Sequence, residues 1–80
     1  MEEAVVAKSV LHRIESGMPT FSKGQKRIGE YILTNSDKAA FMTASKLGRL
    51  SGVSESTVVR FASELGYDGY PSMQRALQEM

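Results

Sequence analysis

The sequence has no cysteine and no tryptophan, and only one histidine and two prolines in 80 residues. Without cysteine there are neither disulfides nor thiolate metal sites, and His12 alone cannot build a zinc site. His12 is read as a surface or interface residue. No apolar run approaches about 18 residues, so no membrane-spanning helix is expected. The chain opens with Glu2 and Glu3 rather than a basic segment. No secretory signal is expected, and the expected location is the cytoplasm. Also missing are a carboxylate pair, a nucleophile with its base, and a phosphate-cradling loop. Enzyme chemistry and a bound cofactor are therefore not expected.

What is present is 41% hydrophobic residues in a helical pattern. That fits one small domain, residues 1–80, whose limited core gains from dimerisation. The net charge of +1 hides a polarity. Residues 22–60 hold Lys23, Lys26, Arg27, Lys38, Lys46, Arg49 and Arg60 against Glu30, Asp37 and Glu55, an excess of four positive charges. Residues 61–80 hold Arg75 against Glu64, Asp68 and Glu79, an excess of two negative charges. Such a division suits one face on phosphate and another on protein.

The organising stretch is residues 43–66, which reads as two short helices joined by a tight turn. Thr43 is the expected cap of the first, and Leu47 and Leu50 give it an inward face. Gly48 permits a close crossing, Gly52 makes the turn, and Val53 plugs the corner. Ser54 caps the second helix. There Val58, Phe61, Ala62 and Leu65 recur at i, i+3, i+4 and i+7 and form one buried stripe. At about 100° per residue, Ser56, Arg60 and Ser63 point away from that stripe. Gly66 closes the helix. A short helix held from behind, with a polar and cationic outer face, is what the major groove of DNA accepts.

The flanks are helical too. Val6, Val10 and Ile14, beside Val5 and Leu11, give a first helix over residues 2–16, with Glu2 and Glu3 at its positive end. That face completes the core, pairs with a second copy, or does both. Gly17-Met18-Pro19 ends the helix. Ser22 and Gln25 form a capping box for a second helix to about Thr34, with Ile28, Tyr31 and Ile32 inward. Gly29 marks a close crossing, and Asn35 is expected in the left-handed position after the helix. Ser36 and Asp37 open a short third helix through Phe41, and Phe41 and Met42 are read as core. Past Gly66, Tyr67-Asp68-Gly69 is a turn, and Pro71 starts a last helix. Its Met73, Ala76, Leu77 and Met80 again fall at helical spacing. The stripe is intact at the final residue, so a fragment with a further domain downstream is expected.

These residues carry a resemblance. Ser22-x-x-Gln25-Lys26-x-Ile28-x-x-Tyr31-Ile32-Leu33-x-Asn35, Met42-Thr43-Ala44-Ser45-x-Leu47, Gly52-Val53-Ser54-Glu55-Ser56-Thr57-Val58-Val59-Arg60-Phe61 and Leu65-Gly66-Tyr67-x-Gly69-Tyr70 closely resemble the N-terminal domain of RpiR-type bacterial transcription regulators. The resemblance spans roughly residues 5–80. Gly24, Gly29 and Gly48 depart from it, standing where serine, alanine and alanine are more usual. It implies an all-α, homeodomain-like helix-turn-helix bundle of about five or six short helices, acting as a homodimer on an operator in double-stranded DNA. It also implies a sugar-isomerase-like C-terminal domain, absent here, through which a phosphosugar effector controls a repressor or activator of carbohydrate metabolism.

Roles follow from side-chain chemistry. Arg60 can meet guanine O6 and N7 in bidentate fashion, or hold a phosphate. Ser56, one turn earlier, can touch a base or a phosphate, and Thr57 suits a phosphate. Ser54 is first a cap. Glu55 favours the helix N-terminus and can also accept from a cytosine amino group. Thr43, Lys46 and Arg49 lie on the helix that crosses the DNA backbone, where Lys46 and Arg49 position phosphates. Val59 sits about 100° round from Val58 and either meets a thymine methyl or packs against a neighbouring helix. Tyr67 and Tyr70 are read as packing residues. The competing class is a helical protein-interaction or dimerisation module that works through the apolar first and last helices.

Overall fold

The computed structural model describes residues 9–79. Among the described residues the order is six α-helices and one 3-10 turn, with no strand. The expected all-helical bundle is what the chain forms.

Helix α1, Val10–Gly17, starts where the Ser9 hydroxyl accepts the His12 amide at 3.1 Å. Ser9 itself is extended, so the helix begins at Val10 and does not run through from residue 2 as expected. Val5, Val6, Glu2 and Glu3 lie outside the described residues. Val10 and Ile14 are fully buried, so α1 completes the core of its own chain. A 3-10 turn, Met18–Thr20, follows, with Pro19 inside it.

Helix α2, Lys23–Thr34, carries the expected capping box. The Gln25 amide donates to Ser22 Oγ at 3.3 Å, and the Ser22 amide donates to Gln25 Oε1 at 2.9 Å. Ile28 and Ile32 are buried, whereas Tyr31 is only half-buried. A Cβ on Gly29 would stand 2.8 Å from Met18 Sδ and 3.0 Å from Ile14 Cγ2, so α1 and the 3-10 turn press on α2 there.

Two expectations fail in the next segment. Asn35 has φ −136° and ψ 45°, not the left-handed pair, because its carbonyl already opens helix α3, Ser36–Ala39, by accepting the Ala39 amide. Phe41 is 77% exposed, not core. With α3 only four residues long, Ala39, Ala40 and Met42 fill the interior positions and leave Phe41 on the outside of the turn.

Helices α4, Ala44–Ser51, and α5, Glu55–Glu64, form the helix-turn-helix unit. Helix α6, Tyr70–Gln78, with Pro71 in its first turn, closes the bundle. It also holds the approach to α4. Tyr70 Oη and Gln74 Nε2 both donate to the Met42 carbonyl, at 2.6 and 2.8 Å, and Gln78 Nε2 donates to that of Ala40 at 2.9 Å. Burial raises the Tyr70 hydroxyl above its ordinary pKa. Met73 and Leu77 are buried, Ala76 packs against the core, and Met80 lies outside the described residues. Phe61 is the largest fully buried side chain, and Phe21 meets it edge-on with ring centres 5.2 Å apart.

Candidate nucleic-acid interface

Both helices of the unit are written by their ends. The Thr43 hydroxyl accepts the Lys46 amide at 3.1 Å, and the Ser54 hydroxyl accepts that of Thr57 at 3.2 Å. Each satisfies an amide that the first turn leaves without a partner. Each helix then ends the same way. Gly52 takes φ 81°, and its amide and that of Val53 turn back to Arg49 and Gly48. Gly66 takes φ 98°, and its amide and that of Tyr67 turn back to Ser63 and Ala62. This is the paired closure that glycine favours, because a side chain resists the left-handed backbone. A Cβ on Gly48 would lie 2.9 Å from the Val53 carbonyl oxygen, so its missing side chain admits the turn.

The inward face of α4 is Ala44, Leu47, Gly48 and Ser51, at i, i+3, i+4 and i+7. Leu50 falls outside that stripe and is 49% exposed, which corrects the expectation that it faces inward. Val53 is half-buried at the corner, as expected. Helix α5 turns Val58, Phe61 and Ala62 into the core, with Leu65 buried just beyond it.

The opposite face of α5 is open. Glu55, Ser56, Val59 and Arg60 are exposed and line one shallow hollow of about 440 Å³. Ser54, Ser56 and Thr57 join at the head of the helix: Ser54 Oγ lies 3.1 Å from Ser56 Oγ and 2.9 Å from Thr57 Oγ1. Thr57 is half-buried beneath the first turn of α2, where a Cβ on Gly24 would come within 3.7 Å of its methyl. Thr43, Lys46 and Arg49 are exposed along α4, the first two at its head and Arg49 in its last turn. The nine residues singled out from the sequence thus divide into a compact patch at the start of α5 and a line along α4. Among the described residues, no group of three His, Asp or Glu side chains is placed to hold a metal ion.

Residues 8–80 match the family described as "Helix-turn-helix domain, rpiR family". The chain belongs to that family. Across 69 residues it is 36% identical to an uncharacterised helix-turn-helix transcriptional regulator, YfhH, of Escherichia coli (strain K12), covering 86% of this chain and 24% of the relative. Over 72 residues it is 32% identical to the transcriptional regulator HexR of Pseudomonas aeruginosa, covering 90% of this chain and 25% of HexR. A solved structure of the Vibrio vulnificus NanR protein, complexed with ManNAc-6P, superposes with a TM-score of 0.84 at 38% identity. That match covers 89% of this chain and 27% of NanR. The chain spans about a quarter of the length of the relatives it matches.

Sequence reading missed the side chain that anchors the far end of this rpiR-family unit. Arg13, on α1, donates from Nη1 to the Leu65 carbonyl at 3.1 Å, and its guanidinium lies 4.6 Å from the centre of the Tyr67 ring. A cation over an aromatic face and on a helix-end carbonyl is favoured twice, by the ring quadrupole and by the helix dipole. Arg13 thereby ties the first helix to the end of α5. Nothing local in the sequence marks it, because its partner lies 52 residues away.

Proposed function

We propose that residues 1–80 form the sequence-specific DNA-binding domain of a bacterial transcription regulator, with α5 lying in the major groove. The observation that carries this reading is the two-faced character of α5. Its apolar stripe is wholly in the core, while Ser56, Val59 and Arg60 are exposed on the outside within the first six residues of the helix. N-terminal residues of such a helix contact base edges, and the helix before it crosses the backbone. Arg60 reads guanine, and Ser56 and Glu55 touch neighbouring base edges. Ser54, Thr57, Thr43, Lys46 and Arg49 hold phosphates, which fixes register without reading sequence.

The protein is further proposed to work in the cytoplasm as a homodimer on a two-fold operator, regulating genes of carbohydrate metabolism. A phosphosugar acts through a sugar-isomerase-like domain beyond residue 80. What supports the effector class is the resemblance to a NanR structure complexed with ManNAc-6P. Against the competing reading, a protein-interaction module working through the first and last helices, Val10, Ile14, Met73 and Leu77 are all buried among the described residues. Among the described residues no helix is long and apolar enough to cross a membrane.

A shift assay against promoter fragments beside its own gene, run across a salt series, tests the proposal. Binding to one fragment should fall steeply with salt, because phosphate contacts release counterions. Binding that ignores salt, or treats all fragments alike, contradicts it.

A further inference from the structure

Two valines stand side by side in α5 with opposite fates. Val58 is wholly buried, and Val59 is 40% exposed. Val59 belongs neither to the core nor to the apolar side chains packed against it. It lies one turn on from Glu55 and Ser56 and beside Arg60, and these four line the hollow on the outer face. The hollow is lined by one apolar side chain together with an acceptor, a hydroxyl and a five-donor fork. A β-branched side chain on a helix keeps essentially one rotamer, so Val59 presents its methyl groups in a fixed place. The major-groove edges of bases offer acceptors on guanine, a donor on cytosine and a methyl on thymine. The polar side chains can meet the first two. Only an apolar side chain can meet the third.

We infer that Val59 is a specificity-determining residue that reads the C5-methyl group of a thymine in the major groove. This rests on the placement of α5 proposed above. Thymine is the occupant the patch favours, because the surrounding Ser56 and Arg60 suit the polar edges that flank a methyl in DNA. A protein partner would have to cover the Arg60 charge as well.

The test uses the 80-residue chain and duplexes it enriches from a random pool. Each thymine of the enriched duplex is replaced in turn by uracil, which pairs identically and lacks only the methyl. At one thymine per half-site the parent should lose about fourfold in affinity, the effect of returning one methyl group to water. Val59→Ser should melt with the parent and show no difference between thymine and uracil at that position. Val59→Ile should keep the difference. A uracil penalty that persists unchanged in Val59→Ser would assign the methyl to another residue and overturn the inference. So would the absence of any uracil-sensitive thymine in a duplex the parent clearly prefers. If no sequence is enriched at all, the major-groove reading fails together with this one, a result distinct from the other two.

Discussion

Residues 43–66 and the segment just before them, 35–42, are neighbours that owe their shapes to different things. In the first, nearly every turn is fixed by a residue within it: Thr43 and Ser54 cap, and Gly52 and Gly66 close. In the second, a four-residue helix and its exit are held by Tyr70, Gln74 and Gln78, which reach across from α6 over 28 to 38 residues of chain. Local chemistry shapes the helix-turn-helix unit, and distant chemistry aims it. Arg13 repeats the lesson at the far end, holding the Leu65 carbonyl from α1.

Four substitutions separate the two kinds of support, taken here from the largest effect to the smallest. Val10→Asp places an unpaired carboxylate where the parent is fully buried, and should cost roughly 3–5 kcal/mol or unfold the chain. A circular-dichroism melt close to that of the parent would mean that α1 is not part of the core. Gly52→Ala puts a side chain at φ 81° and should cost about 1–2 kcal/mol. An unchanged denaturant midpoint would show that the turn closes some other way.

Ser54→Ala removes the cap of α5 and should cost roughly 0.5–2 kcal/mol. It should also fray the helix where Ser56 and Thr57 sit, which amide hydrogen exchange at those residues would detect. If exchange there is as slow as in the parent, the helix starts without Ser54. Tyr70→Phe should cost about 0.5–1.5 kcal/mol, the least of the four, because Gln74 still donates to the Met42 carbonyl. It carries a pH signature. The folded-state pKa of Tyr70 is raised above 10.0, so the unfolded chain gives up this proton first. Stability from the neutral hydroxyl is whole below pH 10 and is lost as pH climbs through the folded value. The parent should therefore lose more melting temperature than Tyr70→Phe above pH 10, and parallel curves would count against the buried hydroxyl.

The same contrast explains what was legible beforehand. Capping residues, left-handed glycines and a 3.6-residue apolar period each act within a turn or two. That is why α5, its cap, the capping box at Ser22 and the open position of Arg60 could be read directly. Leu50 misled because leucine on a helix reads as core, while the stripe that packs is set by Ala44, Leu47, Gly48 and Ser51, three of them too small to stand out. Phe41 misled for a related reason: the room beside it is already filled by Ala39, Ala40 and Met42, held from α6. Arg13 carried no local mark at all. As for the site, exposure and grouping of its residues follow from the fold, and their contacts with DNA stand as the proposal.

The central claim is that the outer face of α5 reads DNA while α4 holds its backbone. Backbone amide shifts recorded while an enriched duplex is titrated into the labelled chain test it most directly. The account predicts the largest changes at Ser54, Glu55, Ser56, Val59 and Arg60, with a second group at Thr43, Lys46 and Arg49. Shifts gathered instead along α1 and α6, with the start of α5 unmoved, would contradict it.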